Sequence, residues 1–408
     1  RLLTYRIALL AAQGVAPVNI LALTFTNKAA KEMRARIEKV VGPEAKNLWM
    51  GTFHSIFARI LRSEADKIGF PRSFTIYDTQ DSKTLIGQIL KELELDDKLY
   101  KPGMVLGRIS AAKNKLISVQ QYLNDLVIRQ DDEAALRPKL GVIYQQYQQR
   151  CFKAGAMDFD DLLYQTNVLF KDHPDVLNKY QHVFRYVMVD EYQDTNYSQY
   201  LITRKLAAKD RNICVVGDDA QSIYAFRGAD IQNILNFEKD YPELQVFKLE
   251  QNYRSTKNIV RAANSVIKNN QAQLRKDVFS ENEEGPLIEV IKAASDNEEG
   301  KLVANSIYED KMNQHLSYDD FAILYRTNAQ SRAMEEALRK LNIKYKIVGG
   351  LSFYQRKEIK DLVAYLRLTV NPNDEQALRR VINYPKRGIG DTTIAKLINA
   401  AEESNHTI

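Results

Sequence analysis

Residues 186–194 read YVMVDEYQD: an apolar run from Tyr186 to Val189, then the carboxylates Asp190 and Glu191, then Tyr192, Gln193 and Asp194. A short apolar run closed by a polar turn predicts a buried strand. Buried parallel strands deliver their carboxyl ends to the crevice where open α/β sheets bind ligands. Neighbouring strand-end residues diverge, so Asp190 would be free to address a magnesium ion while Glu191 polarised an attacking water. A solvated loop after a strand is the plainer reading of a bare Asp-Glu pair.

Downstream, the run Ile213 to Val216 ends in Gly217-Asp218-Asp219-Ala220-Gln221-Ser222-Ile223-Tyr224, continuing into Phe226-Arg227-Gly228. Beside the first strand, Gln221 would bond a terminal phosphate or the attacking water, because an amide donates and accepts at once. Tyr224 and Phe226 are flat rings next to Arg227, the combination that stacks unpaired bases and holds their phosphates; core packing is the alternative for Tyr224. After a further apolar run, Val246 to Leu249, comes Gln251-Asn252-Tyr253-Arg254-Ser255. Arg254 would present a permanently charged planar fork to a γ-phosphate across a domain cleft, or else make a surface ion pair.

Upstream, Asn19 to Phe25 and Leu48 to Thr52 repeat the strand-then-helix pattern, so the chain reads as an α/β protein. Their ends, Thr24-Phe25-Thr26-Asn27-Lys28 and Gly51-Thr52-Phe53-His54-Ser55, place small hydroxyls and a ring before a helix, where N-terminal amides favour phosphate. Helix capping by Thr26 and Ser55 is the simpler role for those hydroxyls. Residues 1–13 read as a helix preceding the first of these strands. Between about residues 80 and 165 helical patterns take over, such as Ser82 to Glu94 and Leu136 to Cys151, as expected of a helical insertion. A second set of strands is predicted at Pro286 to Ile291, Phe321 to Tyr325 and Lys344 to Val348, with a helix over Ala329 to Leu341. The acidic turns Ser280 to Gly285 and Ser295 to Gly300 read as exposed loops. From Arg356 the pattern is helical again, and Asn371-Pro372-Asn373-Asp374 punctuates the start of a further helix. Pro385-Lys386-Arg387-Gly388-Ile389-Gly390 then sets a basic Gly-x-Gly turn at a helix start, suited to a phosphate of duplex DNA or to a plain interhelical turn.

The 408 residues allow two to four domains at roughly 100 to 200 residues each. Lys plus Arg number 58 against 52 acidic residues, a net charge of +6 that permits a polyanionic partner without demonstrating one. The two cysteines, Cys151 and Cys214, build no disulfide framework or CxxC knuckle, and the five histidines show no zinc spacing. A reducing, cytoplasmic setting fits. The opening stretch from Leu2 to Phe25 is broken by Arg6, Gln13, Gly14, Pro17 and Asn19, well short of a spanning helix or a signal peptide.

Taken together, and in this order, the segments resemble the UvrD/PcrA/Rep family of superfamily 1A DNA helicases. ALTFTNKAAKEM at 22–33 is similar to motif Ia, GTFHS at 51–55 to Ib, and DFDDLL at 158–163 to Id. VDEYQDTN at 189–196 resembles motif II, VGDDAQSIYAFRGAD at 216–230 motif III, and LEQNYRS at 249–255 motif IV. The runs at 323–338 and 353–368 also match, as does PKRGIG, so the likeness covers essentially the whole chain.

The resemblance implies RecA-like parallel-sheet motor domains with helical insertions: a first motor domain over 1–79 and 166–250, a helical subdomain over 80–165, the first part of a second motor domain over 251–360, and the start of a second helical subdomain over 361–408. It implies ATP and Mg2+ as cofactors, with Asp190 for the metal, Glu191 as catalytic base, Gln221 as γ-phosphate coupler, Arg254 as arginine finger and Tyr253 stacked on the adenine. Phe25, Thr26, Asn27, Phe53, His54, Tyr224, Phe226 and Arg227 would line a single-strand track, and Arg387, Gly388 and Gly390 would touch the duplex ahead of it. The implied activity is 3′ to 5′ movement on single-stranded DNA and duplex unwinding in replication or repair, by a monomer or weak dimer acting at single-strand/duplex junctions, with no membrane partner. A non-catalytic DNA-binding protein and the helicase part of a helicase-nuclease are the competing readings.

Two departures are minor: Ala220 stands where the family usually has Asp, and Phe226 where Trp is common. The larger one is an absence. No G-x-x-x-x-G-K-[ST] occurs; the Gly300-Lys301 pair has Ser295 and Leu302 at the required positions. In family members that phosphate loop lies just before the segment matching residues 1–6. The expectation is therefore a helicase core cut at both ends, binding nucleotide weakly and inactive by itself, because the loop amides and lysine supply much of the affinity for ATP.

Overall fold

The computed structural model describes residues 2–404 except 272, 275 and 350–352, without the side chains of Arg227, Asp391, Ala395, Asn399 and Glu402. Two compact units are present: residues 1–246, 272–274 and 360–408, and residues 247–271 and 275–359.

The first unit is organised by a parallel sheet. Its strands are β1 (Ile20–Thr24), β2 (Trp49–Thr52), β5 (Tyr186–Val189) and β6 (Ile213–Val215), in the spatial order β2-β1-β5-β6. Two short strands, β3 (Thr75–Ile76) and β4 (Ala156–Met157), pair separately. Period-2 alternation divides the central strands between two cores. Leu21, Leu23, Val187 and Val189 enter one with Phe53, Phe57 and Leu163. Ile20, Ala22 and Met188 enter the other with Leu3, Ile7, Met33, Ile37 and Met50. Burial on both faces is why these strands are near-continuously apolar, and each large side chain so buried contributes about 1.5–3 kcal/mol.

The helices follow the expected pattern with shifted edges. The first spans Leu2–Ala12. Thr79–Glu92 begins with a capping box from Asp78, and Leu140–Lys153 starts later than the sequence pattern suggested because Leu136 adopts a left-handed turn at φ 59°. With Pro102–Asn114, these helices enclose a core of their own around Ile86, Ile89, Val105, Ile143 and Tyr144. The chain enters and leaves this helical bundle through β3 and β4. Helical chain after Lys360 docks at that doorway: Asn371 Nδ2 donates to Thr75 Oγ1 (3.1 Å), Ala154 O (2.8 Å) and Gly155 O (3.2 Å), and Arg367 pairs with Asp81 and Asp374, each at 2.8 Å.

The second unit departs from the expected strand positions. No ladder is assigned at Val246–Leu249, 286–291, 321–325 or 344–348 among the described residues; a single parallel bridge joins Gln251 to Phe279. Parallel strands need cover on both faces. Here the helices Asp296–Gln314 and Ser331–Lys340 pack on each other, Leu287, Val290, Leu324 and Val348 stay exposed, and segments 321–325 and 343–348 line a cavity of about 750 Å3. Ser295–Gly300, expected as a loop, is instead a helix start. Ser295 caps Glu298, and Asp296, Glu298 and Glu299 occupy the first turn, where the helix dipole favours acids. Gly300 lies inside that helix because a Cβ there would stand 2.6 Å from Ala333 O. No helix among the described residues is long and apolar enough to cross a membrane.

Candidate nucleotide site and single-strand track

The carboxyl ends of β5 and β6 lie side by side. Val216 N donates to Val189 O (2.8 Å), and Tyr192 N returns a bond to Val216 O (3.0 Å). Between them the backbone turns sharply: Glu191 sits at φ 52°, a left-handed conformation that a non-glycine residue adopts at a cost of about 1–3 kcal/mol and that clusters at functional sites. Burial, followed by the neighbouring Glu191 charge, raises the Asp190 carboxyl above its ordinary value. A divalent cation would reverse that by favouring the charged form. Asp190 is the carboxylate that would hold a divalent cation here, and Mg2+, which usually keeps several waters and is bound by one or two carboxylates plus phosphates, would suit a single protein ligand. The donor set fits.

Gln193 ties the two strand ends together. It is 1% exposed; its Nε2 donates to Glu191 Oε2 (3.0 Å) and its Oε1 accepts from Asp218 N (3.0 Å). Gln221, exposed, donates through Nε2 to Asp218 Oδ2 at 2.7 Å. Asp194 accepts from Ile223 N, and burial together with Glu191 pushes its carboxyl up to about 6. The structure thus links Glu191, which follows Asp190, to Gln221 through Gln193 and Asp218 at the ends of adjacent strands. Gln193, Asp194 and Asp218 belong to these strand ends as well, and sequence reasoning singled out none of the three. Their signal was the polar run continuing past each carboxylate pair.

Base-stacking candidates fall into two groups. Tyr224 and the largely exposed Phe226 stack with centroids 6.0 Å apart and planes 28° off parallel; the side chain of Arg227 lies outside the described residues. Phe25 packs on Phe53 at 5.6 Å, but Phe53 is 1% exposed and also meets Phe57, so it is a core ring that props Phe25 and offers no face to a base. Thr26 accepts from Ala29 N and caps the helix Asn27–Val41, with Asn27 exposed at its start. Burial lowers the pKa of His54, keeping it neutral near pH 7, and its ring meets the edge of Phe159 at 5.8 Å. Phe159, half-exposed, lies inside DFDDLL and was given no role of its own from the sequence; its neighbours Asp158 and Asp161 hold the buried Lys113, each at 2.8 Å.

Tyr253 and Arg254 stand in the second unit, both exposed, on a turn in which Asn252 Oδ1 accepts from Arg254 N and Ser255 N, each at 2.9 Å. In PKRGIG the guanidinium of Arg387 is occupied: it donates to Val381 O (2.7 Å), Ile382 O (3.0 Å), Tyr384 O (3.1 Å) and the Tyr365 hydroxyl (2.7 Å). These bonds set the side chain against the end of the helix Glu375–Val381, while the residue stays solvent-exposed. Gly388 takes φ 73°, and Gly390 O accepts from Thr393 N and Ile394 N at the next helix start; Lys386 and Arg387 are both exposed in the turn.

A parallel sheet with carboxylates, amide and exposed rings at adjoining strand ends defines the class: a RecA-like motor domain carrying helical insertions. Residues 1–242 match the model of the UvrD/REP helicase N-terminal domain and residues 247–407 that of the UvrD-like helicase C-terminal domain, so the chain belongs to the UvrD/REP helicase family. It is 49% identical over 402 residues to the ATP-dependent DNA helicase PcrA of Bacillus subtilis (strain 168), covering 98% of this chain and 54% of the relative. It is 48% identical over 406 residues to the protein of the same name from Staphylococcus aureus (strain Mu50 / ATCC 700699), covering 99% and 55%. The chain therefore spans about half the length of the curated relatives it matches.

Proposed function

We propose that this chain is the core of an ATP-dependent DNA translocase and helicase that moves 3′ to 5′ on single-stranded DNA and opens duplex at junctions, in replication or repair and in the cytoplasm, as a monomer or weak dimer. One observation carries the reading: the strand-end loop whose Gln221 is linked through Asp218 and Gln193 to Glu191 runs on directly into the exposed Tyr224 and Phe226. A nucleotide half-site and a base-stacking pair thus share one loop.

In this reading Asp190 holds Mg2+, which when bound neutralises charge on the β- and γ-phosphates. Glu191 accepts the proton of the water attacking the γ-phosphorus in line, while Gln221 bonds the γ-phosphate and Arg254 stabilises charge spreading over its oxygens. Tyr253 stacks on the adenine. Tyr224, Phe226, Phe25, His54 and Phe159 hold successive bases by their π faces, and Gly388 and Gly390 present backbone to a duplex phosphate. With no G-x-x-x-x-G-K-[ST] in the sequence, this chain alone holds ATP weakly.

The test is ATP turnover, with and without single-stranded DNA, by the longest natural polypeptide that contains this sequence, with Glu191→Gln as control. Turnover stimulated by DNA and lost in the variant is expected. No stimulation, or turnover that survives Glu191→Gln, overturns the proposal.

A further inference from the structure

Gln193 is enclosed between the two strand-end loops, and its amide can satisfy both neighbours in only one orientation. Its NH2 group faces the Glu191 carboxylate, an acceptor; its oxygen faces the Asp218 N–H, a donor. Its own carbonyl accepts from Ser222 Oγ at 3.3 Å. Asp218 carries the chain onward, accepting from Gln221 Nε2 through Oδ2 and from Ala220 N through Oδ1 (3.1 Å). Three hydrogen bonds thus run from Glu191 through Gln193 and Asp218 to Gln221. Room for the amide exists because residue 217 has no side chain: a Cβ there would stand 2.7 Å from Gln193 Oε1.

Building on the reading of Glu191 as catalytic base, we infer that Gln193 is a positioning residue that sets the Glu191 carboxylate by the position of the loop 217–224, and so transmits occupancy of the base-stacking pair Tyr224 and Phe226 to ATP hydrolysis. It touches neither nucleotide nor DNA. The chemical requirement is an amide of this length. Glutamate would set a second carboxylate against Glu191, methionine would fill the space with neither donor nor acceptor, and asparagine is one methylene short of reaching both.

The two replacements separate the two bonds. Gln193→Met removes both; Gln193→Glu keeps the acceptor for Asp218 N–H and loses the donor to Glu191. Steady-state ATP turnover of the longest natural polypeptide containing this sequence is measured with and without single-stranded DNA. For Gln193→Met, kcat with DNA is expected to fall about 100-fold, the order that mispositioning a reacting group costs, and the stimulation by DNA to disappear. KM for ATP should change less than about 3-fold, since the lost interaction is not one of substrate binding. Gln193→Glu, isosteric and chosen to fold if the methionine variant does not, should lower kcat yet retain a measurable ratio of DNA-stimulated to basal turnover. Combined with Gln221→Ala, Gln193→Met should be non-additive, as members of one network are.

A folded Gln193→Met variant with wild-type kcat and stimulation overturns this inference and leaves the helicase reading standing. A rise in KM proportional to the loss overturns it too, because that reports substrate binding. A wild-type polypeptide that does not hydrolyse ATP overturns the helicase reading, and with it the role given to Gln193.

Discussion

Gly217 and Gln193 approach so closely that no side chain fits between them: a Cβ on Gly217 would lie 2.7 Å from Gln193 Oε1 and 2.8 Å from Ile234 Cδ1. The backbone here is not in the left-handed region, so the requirement for glycine is one of space alone. Gly217→Ala should cost about 1–3 kcal/mol of folding stability by overpacking, read from urea unfolding followed by circular dichroism. An unchanged midpoint and slope would mean that the two loops part freely and that the close approach does not constrain Gln193.

Lys113 is fully buried, with Asp158 and Asp161 each 2.8 Å from Nζ and the Tyr147 hydroxyl bonded to Asp158 at 2.9 Å. Burial works against its charge, but the two carboxylates overcome it and hold the lysine pKa well above its usual value. Removing the cation leaves two buried acids uncompensated, so Lys113→Met should destabilise by about 3–5 kcal/mol. Thermal and urea denaturation of the chain as it stands measure this, and a loss under about 1 kcal/mol would refute it.

Asp161 supplies a pH dependence with a definite sign. Burial, then the adjacent Asp158 charge, pushes its carboxyl up to about 7 from an ordinary 3.8. The folded state then binds the proton more tightly than the unfolded chain, so this group's contribution to stability is complete at low pH and is lost as pH rises through about 7. The stability of wild type minus that of Asp161→Asn should therefore decline between about pH 4 and 7 and level off above. A difference that grows with pH would mean that the attraction of Lys113 outweighs burial and the Asp158 charge at Asp161.

Phe226 presents most of its ring to solvent beside Tyr224. Stacking on one base contributes about 1–3 kcal/mol, so Phe226→Ala should weaken binding to an oligo-dT strand by roughly 5- to 150-fold. Because a ring neutralises no phosphate, the salt dependence of binding should keep its slope, whereas Lys386→Ala should flatten the slope for a tailed duplex if the PKRGIG turn meets a phosphate. Fluorescence anisotropy across a salt series distinguishes the two, and unchanged oligo-dT affinity in Phe226→Ala would remove this residue from the track.

Arg387 spends its guanidinium on three carbonyls at the end of a helix and on the Tyr365 hydroxyl. Arg387→Ala should cost about 1 kcal/mol as a lost cap, detectable as faster hydrogen exchange in residues 381–390. If that exchange is unaltered while duplex affinity falls, the guanidinium serves DNA and not the helix.

Much of the first unit was legible in the chain. Ile20–Thr24 and Tyr186–Val189 are strands buried on both faces, and such strands must be apolar at nearly every position, a signal that local sequence carries in full. Asp190 and Glu191 were legible as candidates for the same reason, as polar residues at the point where such a run stops. The second set of strands had the same composition but forms no ladder among the described residues, because pairing depends on neighbours and on cover that a five-residue window cannot contain. Phe53 shows the same limit at a single residue: a ring before a helix fits DNA or the core equally well until its surroundings are known. Residue types, their order and the strand-end chemistry were determined by the sequence alone. Whether a given side chain faces solvent, caps a helix or, like Gln193, bridges two loops more than twenty residues apart was decided by the fold, since hydrogen bonds and burial are set by distance in space.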